Sequence, residues 1–147
     1  MPYDPKASAL DDVTAKQRER LYWLTLLSGL GNVAVLGLYL YGAATILLGW
    51  LVGGIVGALL VAGFRGHTDD YYNQLVTSGL RLMAFGLGIT LLLLWIQEET
   101  ALLVRLIPGI ATLAANAFLL ALVLALLFHG GYAFAYLRDR LPTGERE

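Results

Sequence analysis

The sequence predicts an all-α integral membrane protein: four transmembrane helices in an antiparallel bundle, with a short cytoplasmic N-terminal helix. Three observations carry this. Of 147 residues, 58% are hydrophobic and only 14% charged, against roughly 25% charged in soluble domains, which is too little to coat a globule. The charges are grouped at residues 4–20, 65–81, 97–105 and 138–147. Between the groups lie runs of the length that a bilayer demands, about 20 apolar residues. Backbone groups in such runs must bond within their own segment, so helices are expected. A membrane β-barrel requires alternation, which "TLLLLWI" (Thr90–Ile96) lacks.

Residues 1–20 form a charged segment. They hold Asp11, Asp12 and Glu19, and no small-residue cleavage site follows a short apolar core, so they do not read as a cleavable signal. "SALDDVTAKQRER" (Ser8–Arg20) predicts a cytoplasmic helix capped by Ser8, with acids in its first turn and Lys16, Arg18 and Arg20 in its last. Leu10, Val13 and Leu21 fall on one side, so this helix either lies along the membrane or extends the first span. The membrane domain, 21–137, contains spans at about 21–41, 43–64, 78–96 and 110–136. "LYGAAT" (Leu40–Thr45) turns from the first into the second. Pro108-Gly109 opens the fourth, where proline suits a first helical turn. Residues 100–107 read as a short interfacial helix or as an extension of the fourth span bent at Pro108. Residues 138–147 form a cytoplasmic tail.

Orientation follows from the basic residues. Lys6, Lys16, Arg18, Arg20, Arg65, Arg81, Arg138, Arg140 and Arg146 share one side of a four-span arrangement, and only Arg105 lies on the other. Both termini are therefore expected in the cytoplasm, with the chain in the inner (plasma) membrane. Tyr22, Trp23, Phe64, Tyr71, Tyr72, Tyr132 and Tyr136 would form the inner aromatic belt, and Tyr39, Tyr41 and Trp95 the outer one.

Several chemistries are disfavoured. The chain has no cysteine, which removes disulfides and thiolate chemistry. A net charge of −1 argues against nucleic acid as a partner. No Asp, Glu or Lys lies in the apolar core of a span, where ion-coupled carriers place a carboxylate. Neither a phosphate-binding loop nor a zinc-protease motif is present, and no Ser/His/Asp set shares a depth. No cofactor and no metal site are predicted.

The polar candidates are few. "GFRGHTDDYYNQ" (Gly63–Gln74) gathers Arg65, His67, Asp69 and Asp70. As a site it would offer metal ligands, joined by His129. As structure, Gly63 and Gly66 end one helix, Thr68 or Asp69 caps the next, and Asp70 sits at its positive end. The structural reading is preferred. Arg81 lies one turn inside the third span and is expected to snorkel or to pair with a carboxylate. His129 reads as an interfacial histidine beside tyrosines rather than a haem ligand or proton relay. Asn32 and Asn116, the only amides within the spans, are expected to bond to neighbouring helices.

The most specific pattern is one of small residues. Gly49, Gly53 and Gly57 recur every fourth residue, and Ala117, Ala121 and Ala125 form a similar ridge on the fourth span. Such ridges let helix backbones approach closely, within one chain or between two, and packing within one chain is the preferred reading. "WIQEE" (Trp95–Glu99) and "RGHTDD" (Arg65–Asp70) resemble elements of the small four-span subunit of tripartite periplasmic carriers. In that family the Trp/Glu-Glu element precedes the His element, whereas here the order is reversed.

The expectation is a non-enzymatic membrane protein acting by helix association, as an accessory subunit or self-assembling scaffold. Its partners would be the lipid bilayer and either copies of itself or another membrane protein. A small oligomeric transporter or channel is the alternative, and a membrane haem protein or enzyme the third reading.

Overall fold

A computed structural model of the chain describes residues 5–42, 46–64, 70–100 and 109–140. These form helices α1 (Pro5–Leu40), α2 (Ile46–Gly63), α3 (Asp70–Thr100), α4 (Gly109–Ala115) and α5 (Ala117–Arg140). The protein is all-α among these residues. Four stretches are long and apolar enough to cross a membrane: Glu19–Leu40, Ile46–Gly63, Asp70–Ile96 and Ala117–Arg140.

Helix ends explain where the boundaries differ from expectation. Of the two readings of the N-terminal helix, extension of the first span is the one observed, because α1 runs unbroken for 36 residues from Pro5 into the first candidate span. Ser8 therefore lies inside α1 rather than capping it, with Pro5 in the first turn, where its missing N–H costs nothing. At the far end Gly42 takes a positive φ of 71°, and its N–H bonds to Tyr39 O at 3.1 Å. Glycine reaches this left-handed conformation without a Cβ penalty, and such a residue commonly ends a helix. α2 stops at Gly63 and α3 opens with Asp70 in its first turn, where a carboxylate meets the helix's positive end.

The fourth predicted helix is in fact two. Asn116 interrupts it, and its Oδ1 accepts a bond from Leu119 N at 3.0 Å, the geometry of an N-cap. A short polar side chain that satisfies a free N–H in this way lets the backbone leave and restart a helix. The turn at 43–45 and residues 100–107 with Pro108, except Thr100 at the end of α3, lie outside the described residues.

α5 is the centre of the packing: it lies against α3 most extensively and against α1, while α2 rests on α1. One buried cluster joins Tyr72, Leu75 and Val76 of α3 to Phe128, Tyr132, Ala135 and Tyr136 of α5. A second joins Val35, Ile55, Leu122 and Ala125. Glycine sets the α3–α5 distance. A Cβ on Gly131 would stand 2.9 Å from Ser78 O and 3.0 Å from Gly79 Cα, and one on Gly79 would stand 2.6 Å from Phe128 O. The two backbones thus touch where neither has a side chain.

Gly131→Ala should accordingly lower stability by about 1–3 kcal/mol, the usual cost of overpacking, read as a fall in thermal midpoint in detergent. Gly88→Ala, with open space around it, should be neutral or slightly stabilising, since a helical glycine costs roughly 0.5–1 kcal/mol relative to alanine. Equal effects at both positions would refute the close α3–α5 contact.

Candidate functional site

The polar groups of the interior line one seam, between α1 and α5. On α1, Thr25, Asn32 and Tyr39 recur every seven residues, two helical turns, so they share a face. Ser28 lies one turn from Thr25 on the same side. Opposite them, α5 presents the cap residue Asn116, the carbonyls of Leu122 and Ala125, and the side chains of His129 and Tyr132.

The contacts run in order along the seam. Asn116 Nδ2 donates to Tyr39 Oη, beside the packed rings of Tyr39 and Phe118. Asn32, fully buried, donates through Nδ2 to Leu122 O at 3.3 Å. His129 Nδ1 lies 2.7 Å from Ala125 O, and its Nε2 lies 3.1 Å from Ser28 Oγ. A carbonyl can only accept, so Nδ1 carries the proton and Nε2 accepts from the Ser28 hydroxyl. Thr25 Oγ1 is 3.0 Å from Leu21 O and 3.1 Å from Tyr72 Oη of α3. Around this end Tyr22, Tyr71, Tyr72 and Tyr132 pack ring against ring at 5.8–5.9 Å. Among the described residues, Asn32 Oδ1, Tyr132 Oη and Tyr136 Oη are buried without a hydrogen-bond partner.

His129 is buried between α1 and α5, and both ring nitrogens are engaged, so axial ligation of haem would require breaking the Ser28 bond. Gly29 makes the approach possible, since a Cβ there would meet His129 Cβ at 3.0 Å. The fold also pairs a serine with a histidine, although no such set was expected from the sequence. The pairing has the form of an activated nucleophile with an oriented base. It lacks the other half of acyl-transfer chemistry. Ser28 sits mid-helix, where backbone N–H groups are held by the helix itself and cannot bind an oxyanion. The seam is suited to fixing helix register.

The remaining candidates are scattered. Gly49, Gly53 and Gly57 are exposed on α2, with nothing within 4 Å of a Cβ placed on any of them. Among the described residues they form no close packing ridge. Of the alanine ridge only Ala125 is buried, while Ala117 and Ala121 are exposed. Asp70 is exposed in the first turn of α3, and Arg81 is exposed with no ion-pair partner among the described residues. Arg65, His67 and Asp69 lie outside the described residues, so the hinge is not assembled into a site here. Sequence reasoning missed Thr25, Ser28, Tyr39 and Tyr72, and the tight glycines Gly29, Gly79 and Gly131. The seven-residue spacing of Thr25, Asn32 and Tyr39 was the available signal. Compared with known protein families, curated proteins and solved structures, the chain matches none.

A double-mutant cycle of Ser28→Ala and His129→Gln should return a coupling of about 0.6 kcal/mol, and at most about 1.7, the range for hydrogen bonds between membrane helices. Unfolding in mild detergent measures it. Strict additivity would mean that the bond contributes nothing.

Proposed function

We propose that the chain is an inner-membrane protein of non-enzymatic type, acting by helix–helix association as an accessory subunit or self-assembling scaffold. Its four long helices would cross the bilayer as an antiparallel bundle with both termini in the cytoplasm. The nine-to-one distribution of basic residues supports that orientation. The order of contacts supports the antiparallel arrangement: Tyr22, early in the candidate span Glu19–Leu40, packs on Tyr71 and Tyr72, early in α3, and Tyr72 packs on Tyr132, late in α5. Reporter fusions after Arg140 and within 65–70 should then read as cytoplasmic, and one near Glu98 as external. A C-terminus on the outside would remove the four-span arrangement.

The observation that carries association is the open glycine ridge. α2 buries a single residue of its own, Ile55, and among the described residues nothing lies within 4 Å of a Cβ placed on Gly49, Gly53 or Gly57. Small residues at four-residue spacing favour close backbone packing of membrane helices. A ridge unused within the chain is available to another chain.

Gly53→Leu tests this. If the ridge joins chains, a leucine costing about 1–3 kcal/mol of overpacking weakens association roughly fivefold to 150-fold. The thermal midpoint of the monomer should stay unchanged, because Gly53 has no neighbour to disturb. Gly88→Leu on α3, equally open, is the matched control and should alter neither property. Analytical ultracentrifugation in detergent reads the oligomer, and a Gly53→Leu protein identical to the control would remove the association reading. Flux through proteoliposomes of the purified protein would instead favour a small transporter or channel.

A further inference from the structure

The outward face of α3 carries a polar stripe. Asp70, Asn73, Gln74, Thr77 and Arg81 are all exposed and follow the three- and four-residue steps that put side chains on one side of a helix. Two of the hydroxyls nearby are turned inward: Thr77 Oγ1 donates to Asn73 O at 2.7 Å, and Ser78 Oγ to Gln74 O at 3.1 Å. The donors left for an external group include the Arg81 guanidinium and the Gln74 amide. A carboxylate from the chain's own described residues does not reach Arg81, since the one ion pair among them is Arg138–Asp139. Asp70 begins the helix eleven residues earlier, about 16 Å away along the axis at 1.5 Å per residue.

Depth identifies the complementary anion. With Ile96, the last residue of the candidate span Asp70–Ile96, taken as the outer end of a crossing of about 20 residues, the inner end falls at Thr77 and would place the Arg81 backbone roughly 6 Å inside the hydrocarbon boundary. Its methylene stem covers such a distance by snorkelling. Side chains on a helix also lean toward its N-terminus, which carries the guanidinium toward Thr77, Gln74 and the headgroup layer. We infer that Arg81, assisted by Gln74, binds the phosphate of an anionic phospholipid in the cytoplasmic leaflet. This rests on the four-span reading of the preceding subsection. The planar guanidinium matches phosphate with two parallel hydrogen bonds, so Arg81 acts as a fixed headgroup ligand on α3.

The experiment combines alkaline carbonate extraction of membranes with native mass spectrometry of the detergent-purified protein titrated with phosphatidylglycerol or phosphatidylcholine. The wild-type protein should stay in the extracted membrane and retain phosphatidylglycerol preferentially. Arg81→Gln should weaken that retention about fivefold, as expected for one basic residue at an anionic membrane surface, and leave phosphatidylcholine unaffected. Arg81→Lys, which keeps the charge and loses the fork, should fall between. Release of the protein by carbonate would overturn the four-span reading itself. A protein that stays in the membrane but does not distinguish the two lipids would overturn this inference alone. It is likewise overturned if Arg138→Gln reduces retention as much as Arg81→Gln, if inorganic phosphate displaces the lipid, or if Arg81→Gln instead releases a copurifying protein.

Discussion

The arrangement depends on one close approach, between α3 and α5 at Gly79 and Gly131. A Cβ added to Gly131 would come within 3.0 Å of Gly79 Cα, so the backbones meet with no side chain between them. This fixes the depth to which everything else on α5 sinks. It brings Tyr132 onto Tyr72 and buries Phe128 completely or nearly so. It also turns the adjacent position, His129, toward α1, where Gly29 leaves room for the ring. The glycines thus act through the neighbours they admit.

The polar seam does a different job. Apolar contact between helices tolerates sliding and rotation, because one leucine surface is much like the next. Asn32 on Leu122 O, His129 Nε2 on Ser28, and Thr25 on Tyr72 are satisfied in one register only. Each such bond contributes modestly, about 0.6 kcal/mol between membrane helices. A one-turn slip would leave several buried polar groups unpaired at about 1–3 kcal/mol each. Specificity therefore comes from the cost of the wrong register more than from the strength of the right one.

Much of this was legible in the sequence at the level of elements. Long apolar runs between grouped charges gave the four long helices, since length and composition alone determine that property. Asn32 and Asn116 stood out because an amide in an apolar run needs a partner. The capping role of Asn116 did not, because a cap depends on local backbone geometry and the flanking alanines and leucines read as continuous helix. The burial of His129 against α1 was not legible either: its tyrosine neighbours read as a belt, Tyr132 and Tyr136 pack in the protein core, and tyrosine composition is the same in both. The glycines show the same limit. Four-residue spacing at Gly49, Gly53 and Gly57 announces a surface fit for close packing but does not say what packs there. Gly79 and Gly131, which do pack, carry no such spacing between them, because they lie on two different helices.

That contrast bears on α2. It is the most apolar of the four candidate spans, and the chain buries only Ile55 of it. In water this would be the wrong way round, since apolar surface is what folding removes from solvent. In a bilayer the lipid tails are as apolar as leucine, so burial of apolar surface gives no drive for helices to associate. What remains is fit, and fit between membrane helices is best where side chains are small. α1, α3 and α5 hold together where glycines and hydrogen bonds occur, at Gly29, Gly79, Gly131 and the seam. α2 has its own run of small residues, Gly49, Gly53 and Gly57, with nothing among the described residues within 4 Å of a Cβ placed on them. It is on this rule that we propose a helix from another chain for the open glycines of α2.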